Sequence, residues 1–333
     1  MTHPLLKVEH LIKKFPIRSG LLRRHTDDVH AVSDIHLELS AGETLALVGE
    51  SGCGKSTLGR TIMKIYEPTS GRIMFEGQDV SELKGQELMA FRKNVQMVFQ
   101  DPFSSLNPRR TVFSIIEQPL LVHGTPEAIR RERVRFLLDK IGLGSWAQNR
   151  YPHEFSGGQR QRIAIARAIA LSPKLVIADE PVSALDVSVR SQILNLMADL
   201  KEEMGIAYLF ISHDLSVVHH MADQVAVMYL GRIVERGSRQ EIFTSPQHPY
   251  TRALLAANPL PGRGKMRQRA VLTGDVPSPV TPPSGCGFHP RCLFAREECK
   301  KDVPTLRPMH DWKASHVVAC HRAGSLGDTQ TAN

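Results

Sequence analysis

The segment Thr44-Leu-Ala-Leu-Val-Gly-Glu-Ser-Gly-Cys-Gly-Lys-Ser-Thr57 decides the fold. Its first five residues have the apolar composition of a buried strand, and residues 49–56 match the pattern G-x-x-x-x-G-K-[ST]. The residues from Thr57 to Ile65 then predict a helix. This order indicates a phosphate-binding loop, because glycines allow successive backbone N–H groups to point at phosphate oxygens at the start of a helix.

The residue types in the loop suit contacts with different parts of a nucleoside triphosphate and its Mg²⁺ ion. We expect Lys55 to reach the β- and γ-phosphates, Ser56 to place its hydroxyl on Mg²⁺, and Thr57 to support the α-phosphate. Cys53 is interpreted as a small residue that fits a variable position, although a thiol there could make an enzyme thiol-sensitive. The remaining predicted phosphate contacts are Gly49, Ser51, Gly52 and Gly54.

Two carboxylates follow an apolar run at Leu175-Val-Ile-Ala-Asp179-Glu180. In an open parallel sheet such a strand end lies beside the phosphate loop. Asp179 suits the Mg²⁺ shell through water, and Glu180 is then free to orient and deprotonate an attacking water. Isolated from the strand and the loop, the same pair would be a solvated turn.

Two further polar residues stand at predicted strand ends. Gln100 follows the strand 95–99, where its amide could touch Mg²⁺ or the water. His213 follows the strand 207–211, where a neutral imidazole could hold the γ-phosphate and the base in line. A lone histidine is more often a surface or core residue, and spacing alone leaves both interpretations open.

A second anion-binding turn lies about a hundred residues after the first. Ser156, Gly157, Gly158 and Gln159 precede a predicted helix from Arg160 to Leu171, and such a helix start can hold an anion. The alternative is a capped helix without a ligand. Because this turn cannot easily reach the same nucleotide, we expect an active site that closes when two molecules meet.

The remaining pattern predicts an α/β fold. Strands alternate with helices, including a helix over 187–204, which favours a mostly parallel sheet with crossover helices. Val29–Leu39 reads as a half-buried strand and Gly71–Val80 as a hairpin, while residues 101–155 form a helical insertion. Prolines crowd the chain after residue 246, which predicts an irregular appendage.

The 333 residues carry a net charge of +8, and no apolar run approaches the length of about 18 residues that a membrane helix needs. The N-terminus lacks the layout of a secretion signal, so we expect a cytoplasmic protein. Basic clusters lack interleaved aromatic residues, which favours solvated surface over a nucleic-acid partner.

Together these motifs resemble the ATP-binding-cassette (ABC) ATPase family over about residues 5–245, with Phe155 where leucine is usual in the signature motif. The resemblance implies a RecA-like P-loop NTPase with an antiparallel β subdomain. It implies that Phe15 stacks on adenine and that Asp186 lies in a dimer-contact loop, Ser183–Asp186. Two subunits of this family sandwich two ATP molecules, and residues 156–159 of one hold the γ-phosphate on the other.

Three segments, Gln100–Arg109, Tyr151–Arg162 and His248–Leu255, resemble the oligopeptide/dipeptide importer branch of that family. The resemblance implies an unlike ATPase partner, two membrane-spanning permease subunits and a separate substrate-binding protein. It places the chain peripherally at the cytoplasmic face of the membrane. Haem, aminolaevulinate or nickel remain alternative cargoes, and a non-transport ABC ATPase is a further alternative.

Four cysteines, Cys286, Cys292, Cys299 and Cys320, lie in the appendage with 5, 6 and 20 intervening residues. A cytoplasmic location argues against disulfides, and these spacings are not those of a zinc ribbon. Four thiolates can hold a [4Fe–4S] cluster, which the resemblance supports. Zinc and no metal remain alternatives.

These observations predict a nucleotide-binding domain at 1–245 with a helical subdomain at about 101–160. A C-terminal extension that carries the four cysteines follows at 246–323, and a disordered tail ends the chain at 324–333.

Overall fold

The computed structural model describes residues 4–19, 24–101, 105–257, 274–308 and 316–326. Most of the predicted tail, residues 327–333, lies outside the described residues, as do residues 102–104 of the glutamine segment. The chain divides into two compact units. Among the described residues, the first contains those within 39–44 and 82–211, and the second contains those within 4–38, 45–81 and 212–326.

The strands of the described residues are, in chain order, β1 (Leu6–Ser19), β2 (Arg24–Leu39), β3 (Thr44–Val48), β4 (Ser70–Phe75), β5 (Gln78–Asp79), β6 (Val95–Val98), β7 (Leu175–Asp179), β8 (Ala207–Ser212), β9 (Gln224–Tyr229), β10 (Arg232–Ser238), β11 (Arg307–Pro308) and β12 (Val317–Val318). The α-helices are α1 (Lys55–Ile62), α2 (Gly85–Asn94), α3 (Val112–Val122), α4 (Glu127–Lys140), α5 (Gly157–Ile169), α6 (Val187–Met204), α7 (Leu215–Met221), α8 (Arg239–Thr244), α9 (Pro249–Ala257) and α10 (Glu297–Lys301).

The first unit contains three parallel strands in the order β6-β7-β8. The register aligns Val98 with Ala178 and Asp179 with Ile211, so the carboxyl ends of these strands lie at one edge. The five residues of β7 are all buried, which explains the continuous apolar run from Leu175 to Ala178. Helices α3 and α4 lie within the predicted helical insertion.

The second unit contains an antiparallel sheet in the order β2-β1-β4-β5. It also contains β3 paired in parallel with β9, which continues through the antiparallel strands β10, β12 and β11. One buried cluster joins β3 and β9 to α9 and includes Tyr229, Tyr250 and Phe288. The C-terminal region therefore shares a hydrophobic core with the strand that precedes the phosphate loop.

The predicted α/β class, with parallel strands and an antiparallel sheet, is confirmed. Strand Thr44–Val48 and the helix over 187–204 have the predicted bounds. Helix α1 begins two residues earlier than predicted and ends at Ile62, and α5 begins three residues earlier and ends at Ile169. The pattern did not reveal β1, β9, β10, α2 or α8.

The stretch after residue 246 is not wholly irregular, because α9 occupies residues 249–257. Pro249 stands at the first helical position, where its missing N–H costs no helical hydrogen bond. Tyr250, Leu254 and Leu255 are buried in the core of the second unit. Their packing stabilises α9, although the proline content of the segment predicts an irregular chain. In the described part of the chain, no helix has the length and apolar character that a bilayer crossing requires.

A close backbone approach joins β1 to β4. The pairing shifts register between Glu9 and Ile12, which marks a bulge, and Gly71 of β4 lies against the backbone of that bulge. A Cβ atom on Gly71 would stand 2.3 Å from the carbonyl oxygen of His10. Only glycine fits there, because Gly71 also has a positive φ of 92°.

We predict that Gly71→Ala destabilises the protein more than Gly77→Ala does. Both glycines have positive φ, so alanine costs each about 1–2 kcal/mol, but Gly77 has no atom within 4 Å of the added Cβ. The clash at Gly71 should remove about 1–3 kcal/mol more from the free energy of unfolding, measured in urea. Equal losses in the two variants would contradict this role of the bulge.

Candidate functional site

The backbone of the loop at residues 49–57 is held by close contacts in the second unit. A Cβ on Gly49 would lie 2.2 Å from the carbonyl oxygen of Met228, and one on Gly54 would lie 2.0 Å from that of Ala31. Gly54 has a φ of 107° immediately before α1 begins. These two positions therefore exclude side chains, which keeps the loop backbone close to β9 and β2.

Lys55 is buried beneath this loop with its ammonium group turned back to the loop backbone. Its Nζ donates to the carbonyl oxygens of Gly49 at 2.7 Å and Glu50 at 2.9 Å, and it lies 3.7 Å from Cys53 Sγ. The lysine charge is thus fixed at the loop, where a phosphate bound by the backbone N–H groups would meet it.

The other loop residues differ in exposure, and their contacts with phosphate and Mg²⁺ stay predictions. Ser51 and Gly52 are exposed, and Ser56 and Thr57 are partly buried in the first turn of α1. Cys53 is buried, and its burial raises the pKa of its thiol. A protonated thiol is a poor nucleophile, which favours the interpretation of Cys53 as a small residue that fits.

Phe15, the predicted adenine platform, lies in β1 of the same unit and is partly buried. Its ring meets that of Tyr66 edge to face at 5.2 Å, and Lys13 Nζ stands 4.8 Å from its centre. The contact with adenine stays a prediction.

The first unit brings Gln100 and Glu180 together. Because Val98 of β6 lies opposite Ala178 of β7, the residues two positions later leave the two strands side by side. The Gln100 amide donates from Nε2 to Glu180 Oε2 at 3.0 Å. Glu180 has a φ of 48°, and its N–H donates to the carbonyl of Ile211. These two features fix the backbone turn that carries the Glu180 side chain.

Asp179 ends β7 and is fully buried, directly before Glu180. His213 is exposed between β8 and α7, and it belongs to the second unit. Asp214 beside it caps α7 by accepting the N–H groups of Ser216 and Val217. The local structure thus fixes the turn that carries His213, and the contact with phosphate stays a prediction.

The turn at residues 156–159 caps helix α5. Ser156 Oγ accepts the N–H of Gln159 at 3.3 Å, and Gln159 Oε1 accepts the N–H of Ser156 at 3.0 Å. A Cβ on Gly158 would stand 2.2 Å from Val189 Cγ1, so this glycine lets α5 approach α6, while Gly157 leaves more room. Ser156 is exposed at this helix start. The capped helix is therefore present, and an exposed anion-binding turn remains compatible with it.

The predicted dimer-contact loop lies between Glu180 and α6. Ser183 Oγ donates to the carbonyl of Glu180 at 3.1 Å, and Asp186 occupies the exposed position before the first residue of α6. The loop is therefore attached to the turn that carries the predicted base.

Three residues near the loop escaped sequence reasoning. Arg291 donates from Nη1 to Glu50 Oε2 at 2.7 Å and from Nη2 to Glu50 Oε1 at 3.1 Å. The Glu50 N–H donates to the hydroxyl of Tyr250 at 2.8 Å. The only sequence signal was Tyr250 itself, which lies in the segment His248–Leu255 that resembles the importer branch.

The four cysteines of the C-terminal region line one cavity in the second unit. Two of them are joined by a backbone hydrogen bond, from Cys286 N–H to the carbonyl of Cys299 at 2.8 Å. Burial raises the pKa of Cys286, and it raises the pKa of Cys292 and Cys320 to about 11. A bound cation would have to displace these protons.

His248 also lines this cavity, and the hydrogen bonds of its ring define its tautomer. Its Nδ1 accepts the N–H of Tyr250 at 3.0 Å, so the proton of the neutral ring resides on Nε2. Burial lowers the pKa of His248 to about 4, which keeps the ring neutral. Nε2 is buried and has no hydrogen-bond partner within the described ranges.

Comparison with protein families gives two matches. Residues 32–183 match the ABC transporter family, and residues 234–299 match the oligopeptide/dipeptide transporter C-terminal region. The second match contains Tyr250, Arg291 and three of the four appendage cysteines.

Similar proteins align over nearly the whole chain. The oligopeptide transport ATP-binding protein AppF of Bacillus subtilis is 53% identical over 95% of this chain and 97% of its own length. The dipeptide transport ATP-binding protein DppF of Haemophilus influenzae is 51% identical over 95% of this chain and 96% of its own.

Solved structures agree with these matches. CbiO1 of Clostridium perfringens, part of the ABC transporter complex cbiONQ, superposes with a TM-score of 0.64 at 31% identity, covering 73% of this chain and 92% of its own. The ATP-binding cassette MJ0796, solved as a dimer bound to ADP and Pi, gives 0.62 at 28% identity over 70% and 98%. The chain therefore belongs to the ABC transporter family of ATP-hydrolysing subunits, in the branch that carries the oligopeptide/dipeptide transporter C-terminal region.

Proposed function

We propose that this chain hydrolyses ATP to drive the uptake of dipeptides or oligopeptides through partner permease subunits. The observation that carries the ATPase role is the phosphate loop, with Lys55 fixed on the carbonyls of Gly49 and Glu50. The peptide cargo is supported by relatives such as AppF and DppF, whose names state oligopeptide and dipeptide transport.

The residues divide the chemistry of hydrolysis between them. Lys55 and the loop N–H groups would bind the phosphates, and Ser56, Gln100 and, through water, Asp179 would hold Mg²⁺, which neutralises phosphate charge. Glu180 takes the proton of the attacking water, and the hydrogen bond from Gln100 holds its carboxylate in place. His213 is the proposed partner of the γ-phosphate.

The signature turn at residues 156–159 acts on a nucleotide held by a second ATPase subunit. Its exposure at the start of the 13-residue helix α5 supports this role, as does the dimer of MJ0796. We propose an unlike ATPase as the second subunit, because that arrangement is typical of the importer branch. Two permease subunits would then hold the pair at the cytoplasmic face of the membrane, and a binding protein would deliver the peptide.

The loss of the Glu180 carboxylate should separate ATP binding from ATP turnover. Glu180→Gln keeps the size of the side chain but removes its basicity, so we predict a fall in kcat of at least about 100-fold with unchanged affinity for a fluorescent ATP analogue. Phosphate release by the complex of this chain with its partner subunits measures kcat. The exposed Glu202→Gln is the matched control and should retain turnover. Full activity in Glu180→Gln would remove this residue from the mechanism.

We further propose that the four appendage cysteines hold a [4Fe–4S] cluster that cross-links and stabilises the C-terminal region. The donor set fits, because four thiols line one cavity and four thiolates bind such a cluster. The buried N–H of His248, which has no partner in the described parts of the chain, supports a bound group in that cavity. The surrounding chain is rich in turns and has little core of its own, so a structural role is favoured over redox catalysis.

Metal analysis after anaerobic purification tests this site. We expect a brown protein with about four iron and four sulfide per chain, and a loss of iron in Cys292→Ser. Cys53→Ser is the control, since Cys53 lies in the phosphate loop, and it should keep the iron. Colourless protein without iron ends the cluster proposal, and one zinc per chain in its place would establish the zinc alternative.

Cargo is tested separately from ATP hydrolysis. Uptake by vesicles that contain this chain, its partner ATPase and the permease subunits distinguishes peptides from haem, aminolaevulinate and nickel. ATP turnover without stimulation by any of these cargoes would favour a non-transport ABC ATPase.

A further inference from the structure

The polar groups of one phosphate-loop residue, Glu50, are all engaged within the second unit. Its carboxylate receives both terminal nitrogens of Arg291, at 2.7 and 3.1 Å. Its N–H donates to the hydroxyl of Tyr250 at 2.8 Å, and its carbonyl oxygen accepts Lys55 Nζ at 2.9 Å. The same carbonyl also accepts the Cys53 N–H at 3.3 Å. Two of the four partner residues, Tyr250 and Arg291, come from the C-terminal region, although Glu50 lies 241 residues before Arg291.

Arg291 is itself held rigidly. Its side chain is only 5% exposed, and its Nη1 lies 3.4 Å from the hydroxyl of Tyr229. The N–H of Arg291 donates to the carbonyl of Phe288, and the rings of Phe288, Tyr229 and Tyr250 pack against one another at 4.7–5.4 Å. The guanidinium therefore presents its two N–H groups to Glu50 in one geometry, as a bidentate arginine–carboxylate pair requires.

Tyr250 is equally constrained. The residue is fully buried in the same aromatic cluster, and its N–H donates to Nδ1 of His248. Its hydroxyl reaches the loop from the first turn of α9, so any displacement of that helix would move the partner of the Glu50 N–H.

We propose that Arg291 and Tyr250 are positioning residues that hold Glu50, and through it the Lys55 ammonium, in the geometry that binds ATP phosphates. The contacts form a chain from the C-terminal region to Glu50 and from the Glu50 carbonyl to Lys55. The C-terminal region thus contributes to the ATP affinity of the phosphate loop, in addition to any other role. This inference rests on the proposed role of residues 49–57 in phosphate binding.

Truncation of the arginine tests the chain of contacts. Without Arg291 the partly exposed Glu50 carboxylate loses its charge partner, and the Glu50 backbone is then held by Tyr250, Lys55 and Cys53 without the anchor on its side chain. We expect Arg291→Ala in the full chain to raise the Kd for a fluorescent ATP analogue about tenfold. Arg291→Lys should restore part of the affinity, because lysine retains the charge but lacks the bidentate fork.

A double-mutant cycle distinguishes positioning from simple attraction of the nucleotide by a cation. If Arg291 acts through the Glu50 side chain, Arg291→Ala should have no further effect on Kd in a Glu50→Ala background, which removes both acceptor oxygens. A full tenfold effect in that background would overturn the proposal, because it would show that the arginine charge acts on ATP without Glu50. Unchanged affinity in Arg291→Ala itself would also overturn it.

Tyr250→Phe provides a second test that removes one hydroxyl and keeps the buried ring. It should weaken binding of the ATP analogue measurably while leaving the thermal midpoint within a few degrees of the wild-type value. A wild-type Kd in this variant would remove Tyr250 from the proposal.

Two controls keep the outcomes distinguishable. Arg296→Ala removes the same charge from an exposed position in the same segment and should leave the Kd unchanged. Lys55→Ala tests the phosphate loop itself. If Lys55→Ala still binds the analogue, the proposed phosphate site fails. If only Lys55→Ala loses affinity while Arg291→Ala and Tyr250→Phe do not, the phosphate site stands and the positioning role is refuted.

Discussion

The position of one ammonium group governs the candidate ATP site. Lys55 is held beneath the phosphate loop by the carbonyls of Gly49 and Glu50, and glycines at positions 49 and 54 let the loop backbone approach Met228 and Ala31. A loop that presents backbone N–H groups and one fixed cation is suited to phosphate. The strand before the loop and the helix after it are the supports of this arrangement.

The same loop connects the general and the branch-specific parts of the chain. The ABC transporter match ends at residue 183, whereas Tyr250 and Arg291 belong to the oligopeptide/dipeptide transporter C-terminal region. Both residues contact Glu50, which occupies a variable position of the general motif. The branch-specific region is therefore in direct contact with the machinery that the whole family shares, through an aromatic cluster that also borders the cysteine cavity.

The sequence pattern predicted those elements that are determined by neighbouring residues along the chain. The strand and glycines of residues 44–57 and the carboxylates after β7 were readable because composition and spacing determine them. Gln100 stands at a predicted strand end, where its amide is expected to touch Mg²⁺ or the water, whereas its hydrogen bond to Glu180 is visible only in the structure. Arg291 could not be assigned from sequence, because an arginine among turns has no periodicity and its partner is distant along the chain. Helix α9 was missed because prolines mask an apolar face that only tertiary packing reveals.

Amide hydrogen exchange across the phosphate loop tests the central claim most directly, since it reports backbone order without nucleotide or turnover. In Arg291→Ala, peptides covering residues 49–55 should exchange faster than in the wild-type chain, while peptides covering β7 should be unchanged. Equal protection of residues 49–55 in the two proteins would contradict the account, because the C-terminal region would then contribute nothing to the order of the loop.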